Sequence, residues 1–241
     1  EGPDGWDIDD TGIPGVGDPD QDGVTEWAGW SFADKDWWIA TAGDQSRSEF
    51  NLGQGTVMVA DPDEWDDTAH ADSAENDWYK TFATTPVISL EGIAEGSAFL
   101  QFASSWRPEF DDNYHQTGNI EMSIDGGDFV EILRWESDSA SPFYHDHSQN
   151  ETVLLDLNNP AGASDVVFKF GLFDAGNDWW WAIDNLVVNA GVKPPVLVTS
   201  PVGSEADEGA DASFTVTVDG TGPYTYEWFF NGDSVSTSQS N

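Results

Sequence analysis

Apolar residues along the chain fall in short runs that alternate with polar ones, and their period is close to two rather than to 3.6. Such runs occupy Gly55–Ala60, Thr85–Leu90, Ala98–Ala103, Asn119–Ile124, Phe129–Trp135, Thr152–Leu157, Val166–Phe173 and Trp181–Val188. Turn-forming residues separate them, as at Asp125-Gly126-Gly127, where a tight hairpin is expected. No stretch carries helical periodicity of useful length. Eight or more strands in about 165 residues, with no internal repeat, predict an all-β fold: a jelly-roll β-sandwich over residues 25–190.

Outside that segment the pattern changes. Residues 1–24 are rich in Asp, Gly and Pro, lack apolar periodicity, and read as an acidic linker. The stiff Lys193-Pro194-Pro195 sequence marks a hinge over 191–195. Beyond it, Ala212-Ser-Phe-Thr-Val-Thr-Val218 and Tyr224-Thr-Tyr-Glu-Trp-Phe-Phe230 read as two strands around a Gly-Pro turn. This segment, 196–241, resembles the first half of a bacterial immunoglobulin-like domain, with Trp228 in the place of the core tryptophan. Such domains need about 100 residues. Residues 194 to 241 number 48, so the resemblance implies a truncated chain, a proteolytic fragment, or a subunit whose missing strands come from a neighbouring chain.

Charge narrows the setting. Seven Lys and Arg against 46 Asp and Glu give a net charge of −39. That excludes nucleic acid as a natural partner, because phosphate binding needs cations that displace counterions. It also disfavours an anionic membrane surface, and no apolar run is long enough for insertion. The 13 Trp and 14 Phe supply ample core material, so the acidity is a surface property of a folded chain. Self-repulsion at this charge density is eased where cations screen or bind it, which points to a secreted, extracellular protein. Cysteine is absent, so disulfides and thiolate chemistry are excluded. The first residues lack the basic and apolar regions of a leader, as in a mature secreted chain or a piece of a longer one.

Two acidic motifs suit calcium. Asp18, Asp20 and Asp22 alternate ahead of Gly23, with Glu26 in the ninth position, which aims several oxygens at one point. The bidentate acid of a full EF-hand loop is missing, since the twelfth position is Gly29. An acidic solvated linker would carry the same residues. The second motif, Asp61-Pro-Asp63-Glu-Trp-Asp-Asp67, follows a strand and places five carboxylates in seven residues. Asp184 lies within the apolar Trp181–Val188 run and needs a partner, because a lone buried charge is too costly. A calcium ion joining Asp184 to Asp61, Asp63 and Asp67 is one expectation. An ion pair with Arg47, Arg107 or Arg134 is the other.

Several segments together carry a resemblance: Trp27-Ala-Gly-Trp-Ser-Phe-Ala-Asp-Lys-Asp-Trp-Trp38, Ala42–Phe50, Val59–Asp67, Ser104-Ser-Trp-Arg-Pro-Glu109 and Trp179-Trp-Trp-Ala-Ile-Asp-Asn185. They resemble a non-catalytic accessory module appended to secreted bacterial phosphoesterases, nucleases and other exported multidomain proteins. The Trp-x-Ile-Asp-Asn ending is similar to jelly-roll domains of the MAM and carbohydrate-binding kinds, in which a last-strand Asp often ligates structural calcium. The resemblance spans about residues 25–190 and implies an accessory role without naming a ligand.

Catalytic signatures are scarce. His145-Asp146-His147 with His115 would make a zinc site only with further ligands, and no phosphate-binding or nucleophile-elbow motif occurs. The expectation is no enzyme. Adjacent tryptophans are more telling, because neighbours in a strand face opposite ways. Trp37-Trp38 and Trp179-Trp180-Trp181 therefore send at least one ring each away from the core, and Trp106-Arg107 pairs an aromatic with a cation. Trp38, Trp106, Arg107, Trp179 and Trp180 are the expected sugar-stacking residues, although the same rings would serve to cap the sandwich or dock a neighbouring domain. The sequence thus predicts a calcium-stabilised, non-catalytic module that binds a polysaccharide or cell-surface glycan beside neighbouring domains of the same extracellular protein. Its rivals are a structural subunit of an extracellular fibre or surface assembly, and a fragment of a secreted phosphoesterase.

Overall fold

A computed structural model describes residues 2–13, 27–67, 78–110, 115–176, 178–199, 207 and 213–240. The chain divides into two compact units, Glu1–Asn189 and Ala190–Asn241.

The first unit contains β1 (Asp7–Gly12), β2 (Ser31–Asp34), β3 (Thr56–Ala60), β4 (Tyr79–Thr84), β5 (Ile88–Ser89), β6 (Ala98–Trp106), β7 (Thr117–Ile124), β8 (Val130–Glu136), β9 (Ser148–Asp156), β10 (Asp165–Ala175) and β11 (Trp181–Ala190). Sheet I runs β1-β4-β10-β7-β8, with β5 also paired to β10, and sheet II runs β2-β3-β11-β6-β9. Set aside the edge strands β1, β2 and β5 and number the other eight from 1 to 8 along the chain. Sheet II is then 1-8-3-6 and sheet I is 2-7-4-5, the wrapping of a jelly roll. The hairpin between β7 and β8 turns at Asp125 (φ 52°) and Gly126 (φ 68°), two successive left-handed residues as a tight hairpin requires.

Between the sheets lies an aromatic core. Trp181 from sheet II meets Trp30, Trp106 and Trp135 with ring centroids 5.4–5.8 Å apart, and Phe102 meets Phe170 of the opposite sheet at 6.3 Å. Gly118 makes room for this cluster: a Cβ there would stand 3.0 Å from both Trp106 and Trp181. The Trp181 indole donates to Ser104 Oγ (3.1 Å), so its buried N–H is satisfied.

Sheet II carries a third layer. The segment from α1 (Lys35–Thr41) through a 3₁₀ turn (Arg47–Glu49) lies against its outer surface, where the Trp180 indole donates to Ser105 Oγ at 3.0 Å and both residues are fully buried. Side-chain caps rather than periodicity make the helices. Asp34 accepts from the Trp37 amide, and Asp61 accepts from the Glu64 amide at the start of α2 (Pro62–Asp67), with Pro62 in the first helical position. Lys35 Nζ ties the layer down through the carbonyls of Phe50 (2.6 Å) and Gly53 (2.9 Å).

The structure departs from the sequence reading at both ends of the sandwich segment. Asp7–Gly12, expected as linker, is a strand on the edge of sheet I, paired with β4. β2 and β4 and the two short helices were not anticipated. Conversely, only Ile88 and Ser89 of the expected Thr85–Leu90 strand pair with β10.

The second unit has two two-stranded antiparallel sheets, β12 (Val196–Thr199) with β13 (Thr217–Asp219) and β14 (Tyr224–Phe230) with β15 (Asp233–Ser240). None of its described residues is buried. Trp228 is half-buried on β14, on the face shared by Tyr224 and Tyr226, while Phe229 and Phe230 are exposed.

Candidate functional site: a cationic and aromatic corner

Four of the candidate site residues, Asp61, Asp63, Trp38 and Trp180, converge on Arg47, one of the three arginines named from the sequence as ion-pair partners. Arg47, fully buried, is clasped by Asp61 through Nε (3.0 Å) and Nη2 (3.0 Å), by Asp63 at 2.9 Å and by Glu64 at 3.3 Å. Its guanidinium lies 4.3 Å from the Trp180 ring and 5.7 Å from the Trp38 ring. The Trp38 indole donates to Asp61 Oδ2 at 2.7 Å. Burial pushes the Asp61 carboxyl above its ordinary value, while the Arg47 charge and the Trp38 N–H pull it down.

The carboxylates expected around a calcium ion at this turn therefore surround a guanidinium. Asp184 is elsewhere. In the antiparallel pairing of β3 with β11, Trp181 stands opposite Ala60 and Ile183 opposite Met58. Asp61 thus lies near the level of Trp180, four residues from Asp184 and about 13 Å away at a strand's rise. A single ion cannot bridge that gap. Asp184 Oδ2 instead accepts from the Gln54 amide (2.8 Å) and Oδ1 from the Asn185 amide (2.6 Å), while Asn185 Nδ2 donates to the Leu52 carbonyl at 2.9 Å. The Asp-Asn pair stitches the Leu52–Gln54 turn to the end of β11. Asp18, Asp20, Asp22 and Glu26 lie outside the described residues, as does the side chain of Asp67. Among the described residues no group of three or more His, Asp or Glu forms a metal-holding cluster.

Burial sorts the expected stacking residues. Trp38, Trp106 and Trp180 have no exposed area, so no sugar ring can lie on them as they stand. Trp106 belongs to the core, its indole bonded to the His145 carbonyl at 3.1 Å. Trp179 and Arg107 are half-buried at the surface, and the Arg107 guanidinium stacks 3.4 Å above the Trp179 ring. Trp179 in turn meets Trp180 edge-on at 5.7 Å. Burial and the nearby Arg47 charge hold the Arg107 pKa below its ordinary value.

The loop beside this pair is strained. Gly43, Asp44, Gln45 and Ser46 all have left-handed backbones, with φ of 65°, 65°, 45° and 77°. Three consecutive non-glycine residues in that region are costly, roughly 1–2 kcal/mol each. Side chains from three other places hold the loop in place. Arg107 Nη1 donates to the Gln45 carbonyl, Arg47 Nη1 to Gln45 Oε1, and Gln149 Nε2 to the Ser46 carbonyl at 3.1 Å. Asp44 closes it from within by accepting from the Ser48 amide (2.9 Å) and hydroxyl (3.0 Å), which lowers the Asp44 pKa. Sequence reading offered Arg47 as an ion-pair partner but did not foresee its full burial or this loop. The one available signal was Asp61-Pro62-Asp63-Glu64, which is a helix start as much as an acidic cluster.

No family model and no curated protein matches the chain. Among solved structures it is similar to a family-61 carbohydrate-binding module in complex with β-1,4-galactotriose, at 8% identity over 78% of this chain and 90% of that one, with a TM-score of 0.41. It is also similar to the K1 adhesin domain of Lys-gingipain from Porphyromonas gingivalis, at 15% identity, 78% and 92% coverage and a TM-score of 0.43. A family-28 carbohydrate-binding module specific for non-crystalline cellulose follows at 9% identity, 72% and 97% coverage and a TM-score of 0.31. Likenesses this distant carry no argument about a ligand.

Proposed function

We propose that the jelly-roll unit is a non-catalytic carbohydrate-binding module of an extracellular protein and that the Arg107–Trp179 corner is its sugar platform. The observation that supports this reading is the guanidinium stacked on a surface tryptophan beside a braced, left-handed loop. A pyranose packs its C–H face against an aromatic ring while its hydroxyls bond to a fixed donor fork and to backbone and amide groups. Strain held by the surrounding structure is a mark of preorganised sites. A neutral glycan is the favoured ligand, since a charge of −39 repels polyanions.

Two further parts of the proposal rest on sequence: calcium held by Asp18, Asp20, Asp22 and Glu26, and a secreted location that screens the charge. The test is affinity electrophoresis of the full chain through native gels containing hydroxyethylcellulose, galactan or xylan, beside Trp179→Ala and Arg107→Ala. Retardation of the parent by one of these polymers, lost in Trp179→Ala, is the expected result; equal retardation of parent and variant contradicts it. Calcium binding would raise the melting temperature with added calcium and lower it with chelator.

A second reading concerns the C-terminal unit alone. Phe229 and Phe230 are 61% and 68% exposed, and no described residue there is buried. That favours further polypeptide packing on it, whether from the same protein or from a neighbouring subunit. Light scattering of the full chain at several concentrations separates a monomer from an assembly.

A further inference from the structure

The outward side chains of sheet I form a surface quite unlike the rest of this acidic protein. Three of its seven cationic residues, Lys80, Lys169 and Arg134, project there. The strand registers set Asp9, Phe82, Gly171, Asn119 and Arg134 opposite one another in one row across β1, β4, β10, β7 and β8. Five strands at about 4.8 Å spacing make this row about 19 Å long, the length of several sugar rings. Phe82 and Phe173 lie at its centre with ring centroids 6.1 Å apart and planes inclined by 34°. Lys80 and Lys169 flank the Phe82 ring at 5.5 and 5.4 Å, and Arg134 lies 5.8 Å from Phe173.

At the middle of the row is an unsatisfied acceptor. Asn119 is only 6% exposed; its Nδ2 donates to Glu131 (3.1 Å), but its Oδ1 is buried without a partner. Gly171 explains how it came to be covered. A Cβ at that position would collide with Asn119 Oδ1 and approach the Phe82 ring at 2.7 Å, so the absent side chain lets both fold over the strand. An unpaired buried oxygen is unfavourable, and a donor that reached it would remove that penalty. Beside Phe82, a hollow of about 190 Å³ is lined by Asp9, Thr11, Gly12 and Lys80.

We infer that this face is a second binding surface, for a neutral polyhydroxylated chain laid across the strands. Phe82 and Phe173 are its stacking rings. A ligand hydroxyl donates to Asn119 Oδ1 once the Phe82 ring turns aside. The ligand class follows from the charge arrangement. Arg134 is paired with Glu131 (3.5 Å) and Glu136, and Lys169 with Glu121, so the face offers donors and acceptors in near balance and little net charge. Hydroxyls, which both donate and accept, match such a surface, whereas a polyanion would meet the repulsion of the whole chain. The face shares the ligand class of the Arg107–Trp179 corner but none of its residues.

The test compares parent, Phe82→Ala, Phe173→Ala, Arg134→Gln and Trp179→Ala as full chains in gels containing hydroxyethylcellulose, galactan, xylan or, as polyanion, alginate. Thermal melts of each variant check that it folds, and the half-buried Arg134→Gln serves if a Phe variant does not. The expected result is a loss of affinity of about tenfold for a neutral polymer in the Phe variants, a smaller loss in Arg134→Gln, and no retardation by alginate. Folded Phe variants and Arg134→Gln that bind like the parent overturn the inference. If only Trp179→Ala loses binding, the face is overturned and the corner stands. If only the sheet I variants lose it, the corner is overturned and the face stands. A parent retarded by no neutral polymer overturns both.

Discussion

Replacing Arg47 with methionine removes the guanidinium that binds Asp61, Asp63 and Glu64, all of them buried. Methionine fills much of the same space, so the loss is chiefly of charge and hydrogen bonds rather than of volume. Breaking a buried pair from one side costs about 3–5 kcal/mol, because the orphaned carboxylates cannot be resolvated. For a chain of this size that is a fall of about 6–20 °C in melting temperature. The penalty should shrink in acid. The Asp61 carboxyl already sits above its ordinary value through burial, and losing the Arg47 charge raises it further. A carboxyl whose folded pKa is raised contributes stability that is present below the unfolded value and lost as pH rises through the folded one. Urea denaturation of parent and Arg47→Met at pH 7 and pH 4, followed by near-ultraviolet circular dichroism, reads both effects. The double variant Arg47→Met, Asp61→Leu should lose much less than the sum of its parts. A single variant within 1 kcal/mol of the parent at pH 7, or one destabilised equally at both pH values, would refute the argument. Were a metal ion holding these carboxylates, chelator and not the arginine change would unfold the protein.

Four smaller perturbations probe the same architecture. Ser46 has a left-handed backbone and makes no side-chain cap bond, so Ser46→Gly should stabilise the chain by about 1 kcal/mol in a urea titration. Ser104→Ala and Ser105→Ala each leave a buried indole N–H without its acceptor and should cost about 1–3 kcal/mol in the same assay. Ser48→Ala removes one of the bonds that lower the Asp44 pKa, so carbon-detected titration should show that carboxyl moving up towards its ordinary value. In the parent, the corresponding stabilisation is present above the ordinary carboxylate pKa and lost as pH falls through the lowered one.

Much of the sandwich was legible because its core strands alternate cleanly, as Val166, Phe168, Phe170 and Leu172 do along β10. The strands that escaped have physical reasons. β4 places Thr81 inward and Phe82 outward, inverting the usual pattern, and β1 is an acidic edge strand whose only large apolar residue is Ile8. The short helices rest on the caps at Asp34 and Asp61, which no periodicity reveals. Trp37 and Trp38 lie on α1 rather than in a strand, but for the other run the alternation argument was sound in direction: Trp181 faces the core between the sheets and Trp180 faces away. Outward did not mean exposed, because the Arg47 layer covers that side of sheet II. Asp184 was expected to be buried because its neighbours Trp181–Ile183 are; from Asp184 onward, however, β11 alternates between half-buried and exposed residues and is tied to a turn instead. Arg47 stood only as one of three arginines available for an ion pair, since Ser-Arg-Ser in a polar stretch looks like any exposed loop and gives no sign of full burial.

The central claim is that ligand meets Trp179 at the corner while Trp38, Trp106 and Trp180 remain inside. Proton–nitrogen correlation spectra of the tryptophan indoles, assigned by single Trp→Phe changes, test it directly on the 13 tryptophans. On addition of whichever neutral polysaccharide retards the chain, the Trp179 indole signal should shift. Those of Trp38, Trp106 and Trp180, bonded to Asp61, the His145 carbonyl and Ser105, should stay in place. A spectrum in which Trp179 is unmoved at saturation, or in which the three buried indoles shift first, would contradict the account.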